Sequence, residues 1–330
     1  MKNSLLRKIS RPLIYFLENN RLFLFYTHQQ VYRFKYSVTL TNNSSLAKNF
    51  YLILPIPSNC ESQKLKSEIK TNPISGGIFQ DSLYENKYTF WQIDLGNHEV
   101  KKFEEEFTIE VSPASPSIKK HHFTLKDYLK CDPDLYSLYT SPNNFVSGED
   151  AAIKSFALDI KKNTTDVFKI AQKINEFVIS FLEYKNPILD LYSYKQALKT
   201  RQVDCGGFDA LFVSLCQACG IPARVVSGFL AGYKNNSMHA WAEFMLPNGV
   251  WVPVDPSMEQ LFGLGKTKKS GRFGYVGSDR VIFSYGCDMP LIVDDLKIRA
   301  PILQNPIIVP AAASKEIQME IQCLTENVHE

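Results

Sequence analysis

Apolar and polar residues follow two different periods along this chain, and the change of period divides it. From Val31 to Leu40 and from Phe50 to Leu54 the residues are rich in Val, Tyr, Phe, Thr and Leu. The Asn-Asn-Ser-Ser cluster at 42–45 separates them, which predicts two strands joined by a turn. Strand-like runs recur at Lys87 to Ile93 and Phe103 to Val111, with turn chemistry at Pro73, Gly76, Gly77 and Gly96. A small β-sandwich over 27–112 is the expectation. Pro113, Pro116, Pro133 and Pro142 then interrupt any long regular element, so 113–146 reads as a linker.

Helical spacing begins near Ser147. Ile153, Phe156, Ala157 and Ile160, then Phe168, Ala171, Ile174, Phe177, Val178 and Phe181, fall at three- and four-residue steps and predict two amphipathic helices. After Cys205 a third helix places Phe208, Leu211, Phe212, Leu215 and Cys219 on one face, and Gly220-Ile221-Pro222 ends it. Strands follow at Ala223 to Phe229, Met238 to Leu246 and Val250 to Val254. Helices first and an antiparallel sheet second predict an α+β domain over 147–290, with a C-terminal extension at 291–330.

Composition adds limits. The 37 basic and 34 acidic side chains leave a formal charge of +3, which gives no reason to expect a nucleic-acid surface. Seven cysteines at irregular positions argue against a disulfide-stapled secreted domain and for reduced thiols, hence a cytoplasmic location. In the basic and apolar segment 1–26 the longest unbroken apolar run is Leu22 to Tyr26, too short for a span or a signal core. Leu5, Ile9, Leu13 and Leu17 at helical spacing allow an interfacial helix with membrane contact, but a terminal helix docked on its own protein is the preferred reading.

The candidate chemistry begins at Cys205. A cysteine at a helix start feels unpaired backbone amides and the positive end of the macrodipole, which favour its thiolate. Asp204 can cap that helix although its charge opposes the thiolate, and Gly206 and Gly207 would let a substrate backbone approach. A hairpin follows, His-Ala-Trp-Ala-Glu before the turn 246–249 and Val-Trp-Val-Pro-Val-Asp after it. If Phe244 pairs with Val250, His239 faces Asp255, with Cβ atoms roughly 4.5 to 5.5 Å apart. His239, Trp241, Trp251 and Asp255 then share one face, and a one-residue slip would scatter them. That parity calls for a three- or five-residue connection or a bulge, not a tight two-residue turn.

The run Val203-Asp204-Cys205-Gly206-Gly207-Phe208, then Cys219 to Gly228, then His239-Ala240-Trp241-Ala242-Glu243 and Trp251 to Pro256 resembles the core of transglutaminase-like proteins in order and spacing. The resemblance covers roughly 150–290, because Arg280 to Asp288 is similar to the closing strand of bacterial members, and the 27–112 region is loosely similar to the domain often fused before that core. It implies a papain-like fold with Cys205 as nucleophile, His239 as base and Asp255 as orienting acid. It also implies acyl transfer or hydrolysis of amide bonds in a protein or peptide through a Cys205 thioester. Transglutamination, deamidation and proteolysis remain open at this level, as does a non-catalytic module that binds a protein and retains the core.

Tyr184 matches a family position that is structural more than catalytic, and Gln202 is a weak oxyanion-donor candidate. No oxygen-rich loop reads as a calcium site, and no metal or cofactor is expected. Cys216 and Cys219 form a Cys-x-x-Cys without a second pair at zinc spacing, so helical packing is the expectation for them. Arg224 is read as bracing a buried acid. Trp241 and Trp251 either wall an acyl site or pack the sheet.

Overall fold

A computed structural model describes residues 27–116, 122–233 and 237–328. The segment 1–26, with its expected terminal helix, lies outside them. The alternating runs of the first third form β1 (Gln30–Asn42), β2 (Lys48–Ile56), β3 (Lys87–Leu95) and β4 (Val100–Val111), longer than the sequence pattern by one to three residues at most ends. The turn at 42–45 does not close a hairpin. β1 pairs with β4 and β2 with β3, so the turn carries the chain from one sheet to the facing one. Asn42 makes that passage rigid, its side-chain amide donating to the carbonyls of Leu46, Leu95 and Gly96.

The linker region holds one regular helix, α1 (Pro133–Thr140), which the proline pattern obscures. Asp132 accepts hydrogen bonds from the amides of Asp134 and Leu135, and Pro133 sits at the first helical position, where its missing N–H costs nothing. The two amphipathic helices appear as α2 (Ala151–Lys161) and α3 (Val167–Phe181), followed by the short α4 (Tyr194–Thr200). α5 (Cys205–Ala218) is buried from Gly206 to Gln217, packed between α2, α3 and α4 and the sheet beyond. A helix buried on every side needs apolar residues on every side, and α5 has them apart from Asp209, Ser214 and Gln217. Cys216 and Cys219 belong to this packed interior, as their spacing predicts.

Four antiparallel strands complete the α+β core: β5 (Ala223–Leu230), β6 (Met238–Met245), β7 (Trp251–Val254) and β8 (Arg280–Tyr285), in the order β7-β6-β5-β8, with α6 (Pro256–Gly263) after β7. Beyond them β9 (Met289–Val293) and β10 (Leu296–Ala300) pair as a separate hairpin. The last two strands return to the N-terminal sandwich. β11 (Ile307–Val309) pairs with β2, and β12 (Ile317–Asn327) runs antiparallel to β1 over eleven residue pairs from Tyr32 with Asn327 to Asn42 with Ile317. Residues within the expected C-terminal extension therefore complete the sandwich.

Sandwich and core share one interior seam. Phe229 of β5 and Phe283 of β8 lie 5.2 Å apart, and Phe34 and Tyr36 of β1 meet Phe229 at 5.8 and 5.2 Å. Each fully buried ring contributes roughly 1.5–3 kcal/mol, so this aromatic group fixes the two layers against each other. The back of the four-stranded sheet thus rests on the sandwich while its front carries α5.

Candidate active site

Cys205 is the first residue of α5, and Asp204 caps it by accepting the amide of Gly207 at 3.4 Å and that of Ile188 at 2.9 Å. The glycines beside it serve packing rather than substrate approach. A Cβ on Gly206 would stand 2.7 Å from Leu191 Cδ1, and one on Gly207 would stand 2.5 Å from the Val203 side chain. They let α5 start flush against the segments before it.

The sulfur stands beside the residue that follows His239. Burial pushes the Cys205 thiol well up, and the charges of Asp204, Asp209 and Asp255 add to that, whereas a hydrogen bond from the Ala240 backbone amide pulls the other way. The helix start alone does not make this thiol acidic. Asp209, one turn below Cys205, is fully buried with neither carboxyl oxygen hydrogen-bonded among the described residues, and burial pushes it well up too.

His239 and Asp255 meet as expected, in a different register. The ladder pairs Ala242 with Val254 and Phe244 with Val252, two residues away from the predicted pairing of Phe244 with Val250. The connection is a three-residue loop, 247–249, closed by Leu246 N–H to Val250 O at 2.8 Å and by Gly249 in the left-handed region (φ +84°). Asp255 therefore stands past the end of β7, as the cap of α6. Its side chain reaches diagonally on the expected face, and His239 Nε2 lies 2.7 Å from Asp255 Oδ2.

Asp255 is held in a dense polar shell. Oδ1 accepts the Met258 amide at 3.0 Å and the Ser257 hydroxyl at 3.2 Å, and Oδ2 also accepts Arg280 Nη2 at 3.1 Å. Burial alone would raise its pKa, but His239, Arg280 and the Met258 amide together hold it below the ordinary carboxylate range. Arg280 is itself buried, with Nη1 2.8 Å from Asp279 Oδ1, and the two aspartates keep it charged against the cost of burial. Gly271 makes room for this cluster, since a Cβ there would lie 2.5 Å from Asp255 Oδ2, and its φ of +120° disfavours other residues.

A cavity of about 420 Å³ opens on Cys205, walled by residues of 184–191, by Asp204 and Gly206, by Ser237, Met238 and Ala240, and by Ile302, Gln304 and Asn305. Gln304 donates from Nε2 to the carbonyls of both Gly228 and His239 at 2.8 Å, and its backbone carbonyl accepts the Tyr36 hydroxyl at 3.3 Å. No group of three His, Cys, Asp or Glu side chains suited to a metal ion occurs among the described residues.

Residues 154–256 match the model of the transglutaminase-like superfamily core. That stretch of the chain is a transglutaminase-like core. The chain is 23% identical over 270 residues, 69% of each chain, to an uncharacterized protein of Haemophilus influenzae. Over 70 residues, 18% of this chain, it is 33% identical to a protein-glutamine gamma-glutamyltransferase of Pseudomonas aeruginosa, of whose length the match spans 10%. A solved candidate cysteine protease from Cytophaga hutchinsonii superposes with a TM-score of 0.63 over 92% of both chains at 14% identity, a likeness of fold.

Other sequence candidates take supporting places. Arg224 braces Glu243 at 2.8 and 2.7 Å, with its guanidinium 3.8 Å from the ring centres of both Trp251 and Tyr285. Trp251 thus belongs to that stack and not to the cavity. Trp241 backs His239, ring centres 6.2 Å apart and 22° between planes. Tyr184 lines the cavity, while Gln202 is outside its wall and donates to Glu183 at 2.9 Å. Arg280, Asp279 and Gln304 went unnoticed as site residues in sequence. Arg280 had one signal, a cation at the head of the strand that resembles the family's closing one.

Proposed function

We propose that the protein performs thiol-dependent acyl transfer or hydrolysis on amide bonds of a protein or peptide, through a Cys205 thioester. The observation that carries this reading is the buried His239–Asp255 pair at 2.7 Å beside the strand position whose amide bonds the Cys205 sulfur. With Nε2 engaged by Asp255, His239 has Nδ1 left to exchange a proton with the thiol. Cys205 Sγ attacks the amide carbonyl, its proton passes to His239, and His239 delivers it to the departing amine or ammonia. Water or an amine then attacks the thioester, giving up a proton to His239 and releasing Cys205 as leaving group. Asp255, held ionised by Arg280, stabilises the imidazolium between those transfers.

Two further expectations belong to the same reading: a reducing, cytoplasmic compartment, which the odd cysteine count supports, and domain limits near residues 113 and 147. Intact-mass trapping of a thioester, using a panel of glutamine and peptide donors, tests the chemistry. A donor-derived mass increment at Cys205, absent together with turnover in a folded Cys205→Ala variant, is the expected result. Turnover by that variant removes the nucleophile assignment.

One observation favours a second reading, a protein-binding module that keeps the core without its chemistry: burial and three aspartates all oppose the Cys205 thiolate. The rate and pH profile of iodoacetamide labelling separate the two. An enzyme's Cys205 labels ahead of the other six thiols and below pH ~8.5, the free-thiol value, whereas an inert one labels late.

A further inference from the structure

The cavity beside Cys205 has one kind of polar wall. Its polar lining comprises Tyr184, Asp190, Asp204, Ser237, Gln304 and Asn305, and among the described residues no Lys, Arg or His lines it. Gln304 is 6% exposed, with its Nε2 spent on two backbone carbonyls, and the Asn305 Nδ2 is likewise spent on the Leu189 carbonyl. An amide whose nitrogen is pinned leaves its oxygen as the free group, so Gln304 offers the cavity an acceptor. The Asn305 Oδ1 is buried without a partner among the described residues. Asp190 is exposed and uses one oxygen on the Leu191 amide at 2.8 Å, leaving the other open.

We propose that this cavity is a subsite for a cationic group, an ammonium or guanidinium, held by the Asp190 carboxylate with the side-chain oxygen of Gln304. On the acyl-transfer reading, on which this part rests, the cation belongs to the acyl donor near its scissile amide. It is not the attacking amine. A carboxylate-lined cavity stabilises an amine in its protonated form, and a protonated amine has no lone pair with which to attack a thioester. A fixed positive charge there also offsets the fields of Asp204, Asp209 and Asp255 at the sulfur, which oppose the thiolate in the empty site. The donor's charge thus completes the electrostatics of its own activation.

The test measures how fast Cys205 reacts with three methanethiosulfonates of similar size, 2-aminoethyl (cationic), methyl (neutral) and 2-sulfonatoethyl (anionic), by intact mass and peptide mapping of the full chain. Rates are referred to those of 2-mercaptoethanol. The expected result is a preference for the cation over the anion about tenfold beyond that of the free thiol, reduced severalfold in Asp190→Asn and in 1 M salt. A ratio equal to that of the free thiol overturns the proposal. So does a ratio unmoved by Asp190→Asn, and so does a Cys205 that reacts with none of the three. In parallel, glutamine peptides flanked by lysine, norleucine or glutamate are offered as donors. A cation preference in labelling with no turnover of any peptide supports the subsite and refutes the acyl-transfer reading, so the two failures are distinct.

Discussion

Asp255 in the α+β core and Glu105 in the sandwich are both fully buried carboxyls, and they meet burial in opposite ways. Asp255 receives His239, Arg280, Ser257 and the Met258 amide, and stays ionised. Glu105 lies between Phe103 and Phe107 on the inward face of β4, opposite Tyr36. Both its oxygens lack a hydrogen bond among the described residues, and burial pushes it well above the carboxylate range. Depth does not decide the charge of a buried acid. The donors built around it do, and here they are concentrated where a charged acid has a use.

The sharpest way to break this contrast is Asp255→Asn, which keeps the shape and removes the charge. Turnover of a glutamine or peptide donor should fall by on the order of 10⁴, with the fold retained by circular dichroism. Next in size is Arg280→Met, which leaves Asp255 and Asp279 buried without their shared cation. Denaturant unfolding should show a loss of about 3–5 kcal/mol.

Removing the sandwich acid should do the reverse, because Glu105→Leu deletes an unsatisfied polar group from an apolar layer. A gain of about 1–3 kcal/mol is expected in the same experiment at pH 7, and a loss would mean that the carboxyl has a partner after all. The smallest effect is a difference of slope. A folded-state pKa raised above the unfolded value, ~4.3 for Glu, makes Glu105 cost nothing below that value and progressively more as pH rises toward its folded pKa. Wild type should therefore lose stability relative to Glu105→Gln as pH increases from 4 upward. Asp255, with its pKa lowered, contributes in the opposite sense: its stabilisation is present above the ordinary carboxylate range and lost as pH falls.

Local periodicity made β1 to β7, the helices α2 and α3 and the α5 start legible in sequence, and the shared face of His239 and Asp255 followed from parity. The register did not, because Phe244 with Val250 and Phe244 with Val252 place the same residues on the same faces. The three-residue turn decides between them. Arg280 stayed hidden since it reaches Asp255 from 25 residues away, across a loop without periodicity whose close approach depends on Gly271. Glu105 stands in a Glu-Glu-Glu run, where alternation hides one inward acid among two outward ones. The pairing of β12 with β1, and the placement of Gln304 against His239, join positions far apart along the chain, and no short-range pattern encodes such contacts.

That last arrangement bears on the order of events at the ribosome. When His239 and Asp255 have emerged, the segment with Ile302, Gln304 and Asn305 that walls the cavity is still to be translated, as is the outer strand of the sandwich sheet. A nascent chain at that stage exposes the Cys205 thiol in an unfinished pocket, on a scaffold still open along β1. Synthesis itself thus delays the enclosure of Cys205 until the parts that would choose its reaction partner have been delivered.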